Sequence, residues 1–262
     1  AQPKLETEIL LALVLGTTRS RLFAWPEQTL TDNQHDRLES LLERRRRGEP
    51  IAYLSGKKEF WSMELRRTPA TLIPRPETEL LVERALQLIP HNQAYTIADL
   101  GTGSGAIAAA IAAERPLSAL FATDNSAEAL AVAEENFRHH ELRNIQCRRG
   151  SWCHALPANR QFDLLLSNPP YVAEGDPHLQ QDGLPWEPKG ALTAGADGLN
   201  EIRRIVQQAP SHLRAGGWLL LEHGFEQGPA VRALLQQAGY EQIRSRRDLA
   251  GQERISEASL AC

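Results

Sequence analysis

The chain has 262 residues, 42% of them hydrophobic and 24% charged, enough apolar content for one large domain or a domain with a smaller appendage. Its formal charge of −4 and pI near 6.1 exclude nucleic-acid binding driven by overall charge, although a local basic patch is compatible with them. The cysteines are Cys147, Cys153 and Cys262; with an odd number, no signal-peptide pattern and no long apolar run, the reading is a cytoplasmic protein with free thiols and no membrane contact. The C-x5-C spacing of Cys147 and Cys153 matches no common zinc pattern even with His139, His140 or His154 added, so no metal is expected. The first residue is Ala1 instead of Met, so the start is expected to be processed or trimmed.

In chain order, residues 1 to about 58 read as helical. "KLETEILLALVLG" sets Leu5, Ile9, Leu10, Leu13 and Val14 at helical spacing and stops at Gly16, a C-terminal cap. A second helix opens at "TDNQ", where Thr31 and Gln34 have capping-box spacing, and closes on Arg44 to Arg47. That basic run complements the helix dipole as a solvated helix end, or else meets an acidic partner or RNA. Residues 59 to 75 read as a hairpin linker, two short extended runs around a turn. A helix led by Pro76, with Glu77 and Glu79 in its first turn, follows it. From Tyr95 onward strands and helices alternate: "YTIADL", a helix after Gly105, "ALFATD", a helix from Ser126 to about Phe137, "NIQCRR", then "FDLLLS". A helix near 199 to 213, "WLLLEH", a helix near 226 to 238 and two closing strands complete the pattern. Such alternation predicts an α/β fold, doubly wound, with a mostly parallel seven-strand sheet over 76–262.

Three strand ends carry chemistry. "DLGTGSGAI" sets Gly101, Thr102, Gly103, Ser104 and Gly105 at the start of a helix, where glycines permit a tight turn and helix N–H groups face a ligand. The motif alone suits a nicotinamide dinucleotide as well as S-adenosylmethionine, or a ligand-free packing turn. Asp124 ends the next strand; its carboxylate can accept from both ribose hydroxyls, or cap the following helix.

In "LLLSNPPYVAE" the strand must stop at Pro169 and Pro170, which leaves Asn168 and Tyr171 at its carboxyl edge. An amide or exocyclic amine is a poor nucleophile because its lone pair is delocalised. Two acceptors, the Asn168 side-chain oxygen and the Pro169 carbonyl, would hold such a nitrogen as it turns tetrahedral, and the Tyr171 ring would stack on the planar group.

With these residues, the chain resembles the class I S-adenosylmethionine-dependent methyltransferases, and closely the peptide chain release factor glutamine methyltransferases. "GEPIAYLSGKKEFW", "TLIPRPETELLVE", "DLGTGSGAIA", "SNPPYVAEGDPHLQ", "WEPKGALTAGADGL" and "LLLEHG" look like family segments in the family's order. The resemblance implies a small N-terminal helical domain for substrate recognition (1–58), the hairpin linker, and a Rossmann-like catalytic domain. It also implies that Gly101 to Gly105 line the methionine end of S-adenosylmethionine, Asp124 holds the ribose, Trp152 lies against the adenine, and Asn168 to Tyr171, Pro170 included, bind the glutamine of a Gly-Gly-Gln loop. S-adenosylhomocysteine would be the product. Relative to the family the first helix is partly missing, and Ser151 stands where an acid usually sits beside the adenine. The expected partner is a class 1 release factor, met by a monomer with no nucleic-acid substrate. The alternative is methylation of the exocyclic amine of adenine in DNA or RNA, which Asn-Pro-Pro-Tyr serves for the same electronic reason. Against it stand the negative net charge and the lack of a long target-recognition segment.

Overall fold

The structure, a computed structural model, describes residues 3–181 and 183–261. Cys262 and the chain start lie outside the described residues. The N-terminal region holds α1 (Pro3–Leu15), α2 (Arg19–Ala24), α3 (Asp32–Arg46) and α4 (Ile51–Ser55). At the start of α3 the expected capping box is present: the Gln34 N–H donates to Thr31 Oγ1 at 3.4 Å and the Thr31 N–H to Gln34 Oε1 at 3.0 Å. Leu10, Val14, Leu41 and Leu54 meet in a small core. The basic run is partly absorbed within the chain. Arg45 Nε donates to Glu6 Oε2 at 2.7 Å and ties α3 to α1, and Arg44 Nε donates to Glu49 Oε2 at 2.8 Å. Burial of Ala52, Tyr53 and Leu54, not propensity, sets the short α4.

The hairpin is β1 (Lys57–Phe60) with β2 (Met63–Arg66), antiparallel and closed by Trp61 and Ser62. Both turn residues have positive φ, 51° and 57°, a conformation that two-residue hairpins usually assign to Asn and Gly. Here later elements hold it: Glu79 Oε1 accepts the Trp61 N–H at 2.9 Å and Glu114 Oε1 accepts its indole N–H at 3.1 Å.

After a single 3-10 turn (Pro76–Thr78) come α5 (Glu79–Leu88), β3 (Thr96–Leu100), α6 (Ala106–Glu114), β4 (Ala119–Asp124), α7 (Ala127–His139), β5 (Ile145–Arg149) and β6 (Phe162–Ser167). They are followed by α8 (Asn200–Gln208), β7 (Leu213–Glu222), α9 (Gly228–Gln237), β8 (Tyr240–Arg247) and β9 (Glu253–Leu260). The seven strands lie in the order β5-β4-β3-β6-β7-β9-β8, parallel except where β9 pairs with β7 and β8. Ile97, Leu164 and Leu166 face one core with α5 and α6, while Ala98, Leu100 and Leu165 face the other with α8 and α9, so the sheet is covered on both sides.

Three expected boundaries move. The hairpin expected to open at residue 59 pairs from Lys57 onward, so the expected division after residue 58 falls inside β1, because Gly56 ends α4. The helix expected to reach 213 stops at Gln208 because Pro210 converts its end to a 3-10 turn. β7 starts at Leu213, five residues before Trp218, since Gly216 and Gly217 are accommodated within the strand.

Strand order reverses between β3 and β6, and in a doubly wound sheet a cleft opens outside the carboxyl ends of such a pair. The glycine loop leaves β3 there, and Asn168 leaves β6 there.

Candidate active site

The glycine loop is built by the need for close approach. Gly101, Gly103 and Gly105 have φ of 75°, 57° and 80°. A Cβ on Gly101 would lie 2.7 Å from the Trp152 ring, and one on Gly105 would lie 2.5 Å from Phe137. A Cβ on Gly103 would meet nothing within 4 Å. The loop is braced from below: the Thr102 hydroxyl donates to Asp99 Oδ2 at 2.6 Å and the Ala108 N–H to the same atom at 3.2 Å. Burial pushes the Asp99 carboxyl up to about 7, against those two bonds.

Asp124, at the end of β4, accepts the Gly103 N–H on Oδ2 and the Ser126 N–H on Oδ1, each at 2.9 Å. It therefore joins the glycine loop to the start of α7, while Ser126 is the residue that caps that helix. Each carboxylate oxygen keeps a second lone pair for a ligand.

Gly101 to Ser104, Asp124, Trp152 and Asn168 all face one cavity of about 430 Å³. Trp152 is half-buried against the α8 core, and its indole N–H donates to Glu201 Oε2 at 2.7 Å. Ser151 lines the same wall, as do Glu201 and Arg204 of α8. Sequence reading missed those two: on an amphipathic helix at the surface nothing distinguishes them from solvated charges.

A second cavity of about 400 Å³ lies on the other side of Asn168 and takes in Pro169, Tyr171, Leu72 and Arg75. Pro170 faces the first cavity instead. The Asn168 side chain donates from Nδ2 to Thr78 Oγ1 at 3.1 Å. Tyr171 is packed beside Glu222, its hydroxyl 3.5 Å from Oε1, and burial holds the phenol well above its ordinary value. The second cavity is roofed by the segment after Tyr171, whose Val172 bridges Thr193. Buried Glu187 in that segment accepts the Ile73 N–H at 2.9 Å and pairs with Arg75. Arg75 and Thr78 lie in the "LIPRPET" stretch, Glu187 in "WEPKGALTAGADGL" and Glu222 in "LLLEHG"; the sequence marks these segments but assigns the four residues no role of their own, because short motif spacing does not report contacts between distant loops.

Cys147 and Cys153 line neither cavity. Burial pushes the Cys147 and Cys153 thiols up to about 12, which suits unreactive side chains. Among the described residues no group of three or more His, Cys, Asp or Glu side chains converges as metal ligands.

Residues 1–56 match the PrmC N-terminal domain family and residues 77–182 the methyltransferase small domain family. A release factor glutamine methyltransferase of Coxiella burnetii is 51% identical over 253 residues, 97% of this chain and 90% of that protein. The chain belongs to the release factor glutamine methyltransferases. A Pseudomonas aeruginosa member is 49% identical over 259 residues, 99% of this chain and 93% of that protein.

The fold itself is wider than the family. The T. thermophilus 16S rRNA N2 G1207 methyltransferase, solved with AdoMet and guanosine, superposes with a TM-score of 0.57 at 18% identity, over 78% of this chain and 49% of that one. As a release factor glutamine methyltransferase family member, the chain is an S-adenosylmethionine-dependent methyltransferase. Among its described residues no helix is long and apolar enough to cross a membrane.

Proposed function

We propose that this chain methylates the side-chain amide nitrogen of the glutamine in the Gly-Gly-Gln loop of class 1 release factors, from S-adenosylmethionine, and so modulates translation termination. The observation that carries this reading is the place of Asn168, on the wall shared by two cavities of which one holds the glycine loop and Asp124. The donor fits the first cavity: the open side of Gly103 is a cradle that no protein atom fills, and Asp124 stands beside it. When bound there, S-adenosylmethionine supplies an electrophilic methyl group on a sulfonium, with a neutral thioether as leaving group.

The residues of the chain do the rest. Gly101 to Gly105 would hold the methionine end, Asp124 would accept from the ribose hydroxyls, and the Trp152 ring would take the adenine. From the second cavity the glutamine side chain meets Asn168 Oδ1 and the Pro169 carbonyl, which accept its two N–H bonds and turn its lone pair toward the methyl group. Both acceptors strengthen as the nitrogen becomes tetrahedral and acquires positive charge, so they favour the transition state over the bound amide, and the methylated nitrogen then releases one of its two protons to solvent. Tyr171 holds the amide plane by stacking.

In this reading residues 1–58 recognise the release factor, 59–75 connect, and 76–262 perform the chemistry, as a monomer in the cytoplasm where translation occurs. The test is to offer the enzyme and tritiated S-adenosylmethionine a release factor carrying Gly-Gly-Gln, its Gly-Gly-Glu variant, duplex DNA and RNA separately. Label on the Gly-Gly-Gln protein alone is expected. Label on nucleic acid, or on the Gly-Gly-Glu control, would overturn the assignment.

A further inference from the structure

Among the described residues, two carboxylates line the first cavity, Asp124 and Glu201. Asp124 takes the ribose in the proposed function, whereas Glu201, in the first turn of α8, has no part in it. We infer that Glu201 recognises the base of the cofactor, accepting from the exocyclic amine of adenine and rejecting a 6-oxo purine.

The inference rests on the proposed placing of S-adenosylmethionine in this cavity. The Gly150 N–H donates to the Asp124 carbonyl at 2.9 Å, so the stretch from Gly150 to Trp152 starts directly beside the ribose acid. A base attached to a ribose held at Asp124 would meet the Trp152 ring next. That ring is fixed at two edges. Its six-membered edge is packed on Gly101, where a Cβ would come within 2.7 Å of Cζ3, and its indole N–H donates to Glu201 Oε2 at 2.7 Å. A planar base laid on the ring would therefore have the Glu201 carboxylate at its rim.

The carboxylate has an acceptor to spare. When ionised it offers about four lone-pair sites on two oxygens and no donor. Oε2 accepts from Trp152 at 2.7 Å and from Arg204 Nη1 at 3.3 Å, while Oε1 accepts from Arg204 Nη1 alone, at 2.9 Å. One site on Oε1 is left for a ligand. The Glu201 side chain is 19% exposed, so water competes little for that site. Trp152 and Arg204 already fix the carboxylate, and no rotamer freedom is lost when a ligand arrives. A fixed acceptor pairs with an amine N–H and repels a carbonyl oxygen put in its place, which is how a buried polar group turns one hydrogen bond into selectivity.

The experiment titrates the protein calorimetrically with S-adenosylhomocysteine and with S-inosylhomocysteine, in which an oxo group replaces the amine. The parent, Glu201→Gln and Asp124→Ala are compared. Glutamine at 201 keeps the shape and an oxygen for the Trp152 indole, and adds an NH2 that can meet a carbonyl. The parent is expected to bind the adenine ligand about 100-fold more tightly than the hypoxanthine one, the scale of losing a hydrogen bond to a charged group. Glu201→Gln should shrink that ratio by about 10-fold, and Asp124→Ala should weaken both ligands while leaving the ratio near the parent's. A parent that binds both ligands alike would overturn the inference. So would a Glu201→Gln ratio equal to the parent's, even with both affinities reduced, since Glu201 would then only support Trp152. Undiminished affinity in Asp124→Ala would instead remove the placing of the cofactor, and the inference with it.

Discussion

Asn168 and Tyr171 divide the work at the proposed reacting centre, and substitutions separate their parts. Asn168→Ala should lower kcat by about 10²- to 10³-fold, the cost of removing one preorganised hydrogen-bonding group, with little change in cofactor affinity. Single-turnover methylation of a release factor measures it. The Tyr171 hydroxyl lies at 3.5 Å from Glu222, a weak contact, so Tyr171→Phe should stay near parental activity. Tyr171→Ala should lose about 1 to 3 kcal/mol of stabilisation in the same assay, by analogy with loss of a stacking platform.

Glu222 adds a pH dependence to stability. Burial raises its carboxyl from 4.5 to about 7, opposed by the Thr78 hydroxyl, Arg254 and the Tyr171 hydroxyl, while nearby Glu77 adds to the rise. Between those values the folded protein holds a proton that the unfolded chain has released, so this group's contribution to stability falls as pH rises through the window. Urea unfolding of the parent and Glu222→Gln at pH 5 and pH 8 should show a smaller loss with rising pH in the variant. An equal loss in both would assign the dependence to other groups, Asp99 among them.

Between elements, Asn136 on α7 cross-links the hairpin and the glycine loop. Its Oδ1 accepts the Arg66 N–H at 2.7 Å, and its Nδ2 donates to the Arg66 carbonyl at 3.2 Å and the Ser104 carbonyl at 2.9 Å. One amide thus completes β2 as a strand neighbour would and fastens the hairpin to the glycine loop. Asn136→Ala should cost about 2 to 3 kcal/mol in urea unfolding, since it strands backbone groups at a 1% exposed site. Little in the sequence marks Asn136, which reads as one polar residue in an amphipathic helix. The turn at Trp61 and Ser62 was equally hard to type from its residues, because its positive φ values are held by Glu79 and Glu114, far along the chain. By contrast the Thr31 capping box, the helix opening at Gly105 and the end of β6 before Pro169 were legible, because each is a contest among neighbouring backbone groups.

At the scale of the whole molecule, the N-terminal helices meet the site through α4. Tyr53 donates to the Thr71 carbonyl at 2.8 Å and packs with Ile73, on the loop that leads to Arg75 and Thr78. Deleting residues 1–47, which leaves α4 in place, should keep S-adenosylmethionine affinity by calorimetry while lowering kcat/KM for the intact release factor. Full activity of that folded truncation would show that α1 to α3 are not a recognition element. The sequence by itself determined the alternation of strands and helices, the glycine turn, Asp124 at the end of β4 and the stop at Asn168. Those follow from local terms: apolar period, the missing N–H of proline, the freedom of glycine and the pairing of a side chain with nearby backbone. Only the tertiary structure decided which distant groups close the site. Strand order set β7 beside β6 and so brought Glu222 to Tyr171; packing of α8 delivered Glu201 to Trp152; the turn leading α5 carried Thr78 to the Asn168 amide. Such contacts join residues dozens of positions apart through the geometry of a twisted sheet, and no periodicity along the chain encodes them.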